Sequence, residues 1–134
     1  MYRGSCLCGG VSYELRGEPG TIVYCHCSRC RKAQGSAFAA NAPVRSAEFS
    51  VLTGAELLRS WESSPGKHRV FCGRCGSPLF SRNDAVPELL RLRIGSLDTA
   101  LSARPQHHIY AGSKAEWHDI CDALPQHEAT EPGR

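Results

Sequence analysis

The sequence predicts a mainly β domain carrying a single short helix. Three observations lead there. Many short runs alternate apolar and polar residues, turn signals fall between them, and only one segment carries both the start and stop residues of a helix. At 134 residues the chain can bury a core as one domain, and 41% hydrophobic with 22% charged residues is an ordinary soluble composition.

The alternation begins in VSYEL, residues 11–15, where Val11, Tyr13 and Leu15 lie on one side and Ser12 and Glu14 on the other. After the turn residues between Gly17 and Gly20 comes TIVYC, residues 21–25. SRCRKAQG, residues 28–35, is the helix: Ser28 can cap its start and Gly35 can end it. SAFAANAPV (36–44), AEFSVL (47–52), LLRSWE (57–62) and HRVFC (68–72) are the next strands, punctuated by Thr53-Gly54 and Ser64-Pro65-Gly66. Asn83-Asp84 marks a turn before LLRLRIG, residues 89–95, in which Leu90, Leu92 and Ile94 alternate with Arg91 and Arg93. HHIYA, residues 107–111, closes the set. PQHEATEPGR, from Pro125 to Arg134, is polar and proline-containing and reads as a frayed end. The organisation expected is a metal-binding domain over residues 1–125 and a polar C-terminal tail over 126–134.

Charge and targeting signals narrow the classes further. The net charge of +3 is mild, with basic residues spread along the chain, which argues against a dedicated nucleic-acid binder. There is no run of about 18 apolar residues, so no membrane span is expected. The start, MYRGSCLCGG, lacks the apolar core of a secretory signal, and a cytoplasmic protein is expected.

Eight cysteines stand out: Cys6, Cys8, Cys25, Cys27, Cys30, Cys72, Cys75 and Cys121. Close spacing in a chain without a secretory signal favours metal over disulfides. Cys72-Gly-Arg-Cys75-Gly is a knuckle whose two sulfurs converge on one ion, and the Cys6-x-Cys8 pair needs a bend that Gly9 and Gly10 make easy. Cys25, Cys27 and Cys30 are close enough to share an ion, which leaves Cys6, Cys8, Cys72 and Cys75 to form a closed structural zinc site. The trio has two readings. It is either a second closed site, completed by His26, Cys121 or a distant histidine, or a three-cysteine zinc with one position open to a ligand. Arg29, Arg31 and Lys32, beside the trio, can offset the charge of an anionic thiol and grip its carboxylates; the plain alternative is a solvated helix face.

SCLCGGVSYE, YCHCSRCRKAQGSAF, FCGRCGSPLF, RIGSLD and HHIYAGSKAEWHD occur in an order and spacing that resembles the glutathione-dependent formaldehyde-activating enzyme family and the domain of centromere protein V. The resemblance covers roughly residues 3–125. It implies a β-tent of antiparallel sheets with zinc knuckles. It also implies a structural zinc at Cys6, Cys8, Cys72 and Cys75 and a catalytic-type zinc at Cys25, Cys27 and Cys30. The implied reaction joins glutathione to formaldehyde as a carbon–sulfur lyase, with glutathione as co-substrate and a small-molecule thiol and aldehyde as partners.

For that chemistry an acid must protonate the developing alkoxide, and His26, His107 and His108 are candidates by side-chain type. Lys114 and Trp117 are candidates to line a pocket, with a core tryptophan as the plainer reading. Other classes remain in view: a thiol- and zinc-binding module without turnover, a zinc-ribbon nucleic-acid binder, and a methionine sulfoxide reductase. The last would need a free reactive cysteine, for which only Cys121 is unassigned.

Overall fold

The computed structural model describes residues 1–131. Among the described residues ten strands form two sheets, and one α-helix accompanies them. Strands β1 (Tyr2–Ser5), β2 (Ser12–Leu15) and β5 (Phe49–Thr53) make a three-stranded sheet in the order β1-β2-β5. The other strands are β3 (Val23–Cys25), β4 (Ala39–Arg45), β6 (Leu58–Ser64), β7 (Lys67–Cys72), β8 (Pro78–Asn83), β9 (Leu89–Arg93) and β10 (His107–Ile109). They make a seven-stranded sheet in the order β10-β3-β4-β9-β8-β7-β6. The mainly β expectation holds, with one refinement: β10 pairs with β3 in parallel, so the large sheet is mixed rather than wholly antiparallel. The chain beyond β9 crosses back to the β3 edge, and a crossing connection, unlike a tight hairpin, permits parallel pairing.

The main core lies where the two sheets meet. Val11, Tyr13 and Leu15, the apolar side of VSYEL, pack there with Val44, Leu79 and Leu92, and Cys6 and Cys72 belong to the same cluster. A smaller cluster of Val23, Cys25, Cys30, Ala39 and Ile109 lies under the helix α1 (Ser28–Gln34). Two strands had no clear signal in the sequence. β1 offers one buried large residue, Tyr2, beside Gly4, and β8 begins on Pro78, a residue tolerated at the first position of a strand.

Two local expectations are corrected. The helix is capped by Cys27 rather than Ser28: the Cys27 Sγ accepts the Cys30 N–H at 3.3 Å. Its stop is as expected, with Gly35 at φ 62°, ψ 38°, a left-handed conformation that suits glycine. The segment read as a frayed end is tied down through residue 129. The His108 N–H donates to Pro125 O, the His127 N–H to His108 O at 2.9 Å and the Tyr110 N–H to Ala129 O at 2.8 Å, which lays this segment against β10.

In β9, Leu92 is fully buried in the core as the alternation predicts, yet Arg93 on the opposite face is also buried, at 4% exposed. The polar face of this strand lines a cavity, with Arg91 half-buried and Arg93 buried on its wall.

Candidate metal centres

Cys6 and Cys8 sit in the turn after β1, while Cys72 ends β7 and Cys75 lies in the turn before β8. Backbone hydrogen bonds set both turns: Gly9 N–H to Cys6 O at 3.0 Å, and Gly76 N–H to Cys72 O at 2.7 Å. Gly76, at φ 79°, supplies the left-handed residue that the knuckle requires. The four sulfurs all lie within 4.8 Å of one another, with Cys6–Cys8 at 3.5 Å and Cys8–Cys72 at 3.9 Å. Tetrahedral zinc with Zn–S bonds near 2.3 Å places its sulfurs about 3.8 Å apart, so this donor set can hold that ion. Hydrogen bonds from the Ser77 backbone and side chain draw the Cys75 thiol down to about 5, and Arg74 Nε donates to Cys8 Sγ at 3.2 Å. Both favour thiolate, the ligating form.

Cys25 ends β3, Cys27 caps α1 and Cys30 lies in its first turn; their sulfurs too fall within 4.8 Å of one another. Hydrogen bonds from Cys25 and Cys27 hold the Cys30 thiol far below its usual range, aided by Arg69, and Cys25 is pushed up by its bonds to Cys27 and Cys30. Two buried sulfurs and a half-buried one at this spacing form a donor set that suits a soft divalent cation. This cluster too can hold zinc.

Among the described residues, no other histidine, cysteine or carboxylate joins the trio. His26 turns away from it: its Nε2 pairs with His108 Nδ1 at 2.8 Å, and His108 Nε2 reaches both Asp122 oxygens at 3.0 Å. Burial lowers the pKa of His26 to about 4, which keeps the ring neutral. Cys121 is exposed, with its Sγ 3.6 Å from Asp119 O, and it does not join the trio as a fourth ligand.

The trio opens on a cavity of about 320 Å³. Arg29, Lys67, Arg69, Arg82, Arg91 and Arg93 line it, and no aspartate or glutamate does. Of the three basic residues singled out beside the cysteines, Arg29 reaches this wall. Arg31 instead donates through Nε to His26 O at 3.3 Å, and Lys32 is exposed. His107 pairs with His127 at 2.9 Å, Lys114 is bound to the carbonyls of Ala115 and His118, and Trp117 is 67% exposed. None of these three, nor His26 or His108, lines the cavity. Its hydroxyls come from Ser64, Ser81, Tyr110 and Thr130. Tyr110 is the one described non-glycine residue with positive φ, at 53°, a costly conformation held where its side chain meets the cysteines' cavity.

The cationic wall was missed because Arg69, Ser81 and Arg91 pair in register across β7, β8 and β9, and a polar strand face reads by default as facing water. The available signal was the pair Arg91 and Arg93 on one side of a strand whose other side is leucine.

Two sheets joined around a four-cysteine knuckle, with a separate three-cysteine cluster on a basic cavity, define a class of small β protein built on paired cysteine centres. The chain belongs to the glutathione-dependent formaldehyde-activating enzyme family, whose model matches residues 1–113. Over 79 residues it is 30% identical to an uncharacterized lyase of Schizosaccharomyces pombe, covering 59% of this chain and 56% of that one, so it spans about half that relative's length. A crystal structure of a Rhodobacter sphaeroides protein is similar with a TM-score of 0.61 and 27% identity, over 75% of this chain and 91% of that one. No helix among the described residues is long and apolar enough to cross a membrane.

Proposed function

We propose that this protein is a zinc-dependent carbon–sulfur lyase that acts on adducts of glutathione, or a similar thiol, with formaldehyde or another small aldehyde. One observation carries the reading: three clustered sulfurs, with no fourth protein ligand among the described residues, face a cavity lined by six cations and no carboxylate. Family membership and the relative named as a lyase support the same class.

In this reading Cys25, Cys27 and Cys30 hold zinc, and Cys6, Cys8, Cys72 and Cys75 hold a structural zinc. Zinc at the trio supplies Lewis acidity and favours the thiolate form of a thiol brought to it. The chain's own residues do the rest. Arg29 and Arg91 receive the carboxylates of the thiol by charge-assisted hydrogen bonds and fix its sulfur toward the trio. Addition forms the carbon–sulfur bond, breaks the carbonyl π bond and leaves the thiol's proton on the new hydroxyl oxygen; cleavage is the reverse. Tyr110, on the cavity wall beside the trio, takes the part of proton donor assigned above to a histidine.

The second reading is a thiol-binding module without turnover. It is favoured by a cavity wall that carries hydroxyls but neither imidazole nor carboxylate. The test is calorimetric titration of glutathione into zinc-loaded protein beside a Cys27→Ser variant, followed by the rate of adduct formation from formaldehyde. Binding that Cys27→Ser abolishes, with a rate above the uncatalysed background, is expected. Binding without acceleration selects the module, and no binding rejects both.

A further inference from the structure

Arg93 carries a buried charge, and its hydrogen-bond partners among the described residues are neutral. It is 4% exposed, and its Nη1 donates to Asn41 Oδ1 at 2.7 Å and to Arg91 O at 3.2 Å, both neutral acceptors. Buried guanidinium groups are ordinarily paired with an anion. The opposite charge available to Arg93 is that of the sulfur trio on the same cavity: burial and the neighbouring Arg69 charge oppose its protonation, while charge on Cys30, Cys25 and Cys27 favours it.

Arg69, two strands away in the same sheet, is half-buried and touches the trio directly. Its Nε donates to Ser63 Oγ at 2.9 Å and its Nη1 to Cys30 Sγ at 3.6 Å, and no carboxylate is among its described partners. Arg69 and Arg93 both line the cavity. The four-cysteine cluster differs, since its arginine contact is Arg74 at an exposed sulfur.

The charges then decide what the centre will accept. Three thiolates and a divalent cation leave one negative charge, and two fixed arginines turn that into one positive charge. One more anion at the remaining position balances the centre and these two arginines; with Arg29, Lys67, Arg82 and Arg91 on the same wall, a neutral donor leaves a larger positive charge unmet. Beside the buried Arg93 such a difference is felt more strongly than in open water.

We propose that Arg69 and Arg93 are the built-in counter-charge of the three-cysteine centre and make its remaining position selective for an anionic sulfur over a neutral donor. The inference rests on the reading of that trio as a zinc centre. It moves the charge-offsetting part from Arg31 and Lys32 on the helix to two arginines on the sheet. Both act through the centre as positioning residues.

The test uses zinc-loaded full-length protein with Arg93→Met, Arg69→Met and Arg93→Lys variants. The probes are 2-mercaptoethanol, a thiol without carboxylates, and imidazole, a neutral donor. Affinities are read by calorimetry, and the sulfur-to-metal absorption of the cobalt-substituted protein reports whether sulfur has bound. Each methionine variant should bind 2-mercaptoethanol about tenfold more weakly, with imidazole affinity unchanged. Arg93→Lys should recover most of the loss. Unchanged thiol affinity overturns the inference, as does equal weakening of both probes, the mark of a merely structural role. If Arg93→Met does not fold, Arg69→Met decides by the same criteria. Wild-type protein that holds one zinc rather than two overturns this inference together with the functional reading. Two zinc ions with unaltered selectivity overturn this inference alone.

Discussion

Cys27 does two things with one sulfur. It accepts the N–H of Cys30 as the helix cap and lies within ligand distance of Cys25 and Cys30, so the start of α1 and the geometry of the trio are set together. Tyr13 shows the other kind of residue-scale constraint, a polar atom carried into the core. Its ring is buried and its hydroxyl shares a 2.7 Å hydrogen bond with Ser96 Oγ; burial pushes its pKa up to about 12 from the ordinary 10. The folded state therefore keeps a proton that the unfolded chain gives up above pH 10. The stability this contributes is complete below that pH and is lost as pH rises to about 12, some 3 kcal/mol in all. Denaturant midpoints of the wild type should fall across that window more steeply than those of Tyr13→Phe. Parallel slopes would contradict the assignment.

At the scale of elements, α1 is a seven-residue helix with one buried residue, Cys30, so little apolar packing holds it. Its ends do more of the work. Gly35 adopts the left-handed conformation at the C-terminus, and a Cβ there would meet nothing within 4 Å. Gly35→Ala should cost about 1 kcal/mol through backbone strain alone, read as a lower denaturant midpoint with an unchanged m-value. No loss would mean that the helix end is not held in that conformation. β9 works differently, setting Leu92 into the core and Arg93 into the cavity wall, so one strand serves both.

For the molecule as a whole, the four-cysteine cluster is the join. It brings the turn after β1 of the small sheet to the turn after β7 of the large one, with Cys6 and Cys72 inside the main core. Structural zinc contributes about 10–16 kcal/mol in apparent terms, while a whole domain is stable by about 5–15 kcal/mol. Removing metal with a chelator should abolish the cooperative melting transition, and added zinc should restore it. A metal-free protein with the native melting temperature would sink the structural assignment. Cys72→Ser should behave as the stripped protein does, because it removes a sulfur of the four-cysteine cluster that is also a core residue.

Much of this was legible in the chain. VSYEL showed its buried face by alternation, Gly35 announced the helix end, and the cysteine spacings sorted seven sulfurs into the four and three that the fold groups. β1 and β8 were not, since a Gly-containing stretch and a Pro-led one carry little alternation. The basic residues nearest the trio in sequence drew attention to Arg31 and Lys32, while the cavity wall took Arg29 with Lys67, Arg69, Arg82, Arg91 and Arg93.

Sequence by itself determined the local chemistry: which sulfurs share a site, which strand faces are apolar, and where the helix stops. These follow from spacings of a few residues, within which backbone geometry leaves few choices. Only the tertiary structure decided what the polar strand faces look at. Arg69 and Arg93 lie dozens of residues from Cys30, and it is the strand order and register of the large sheet that bring their charge onto the cavity wall beside the cysteines.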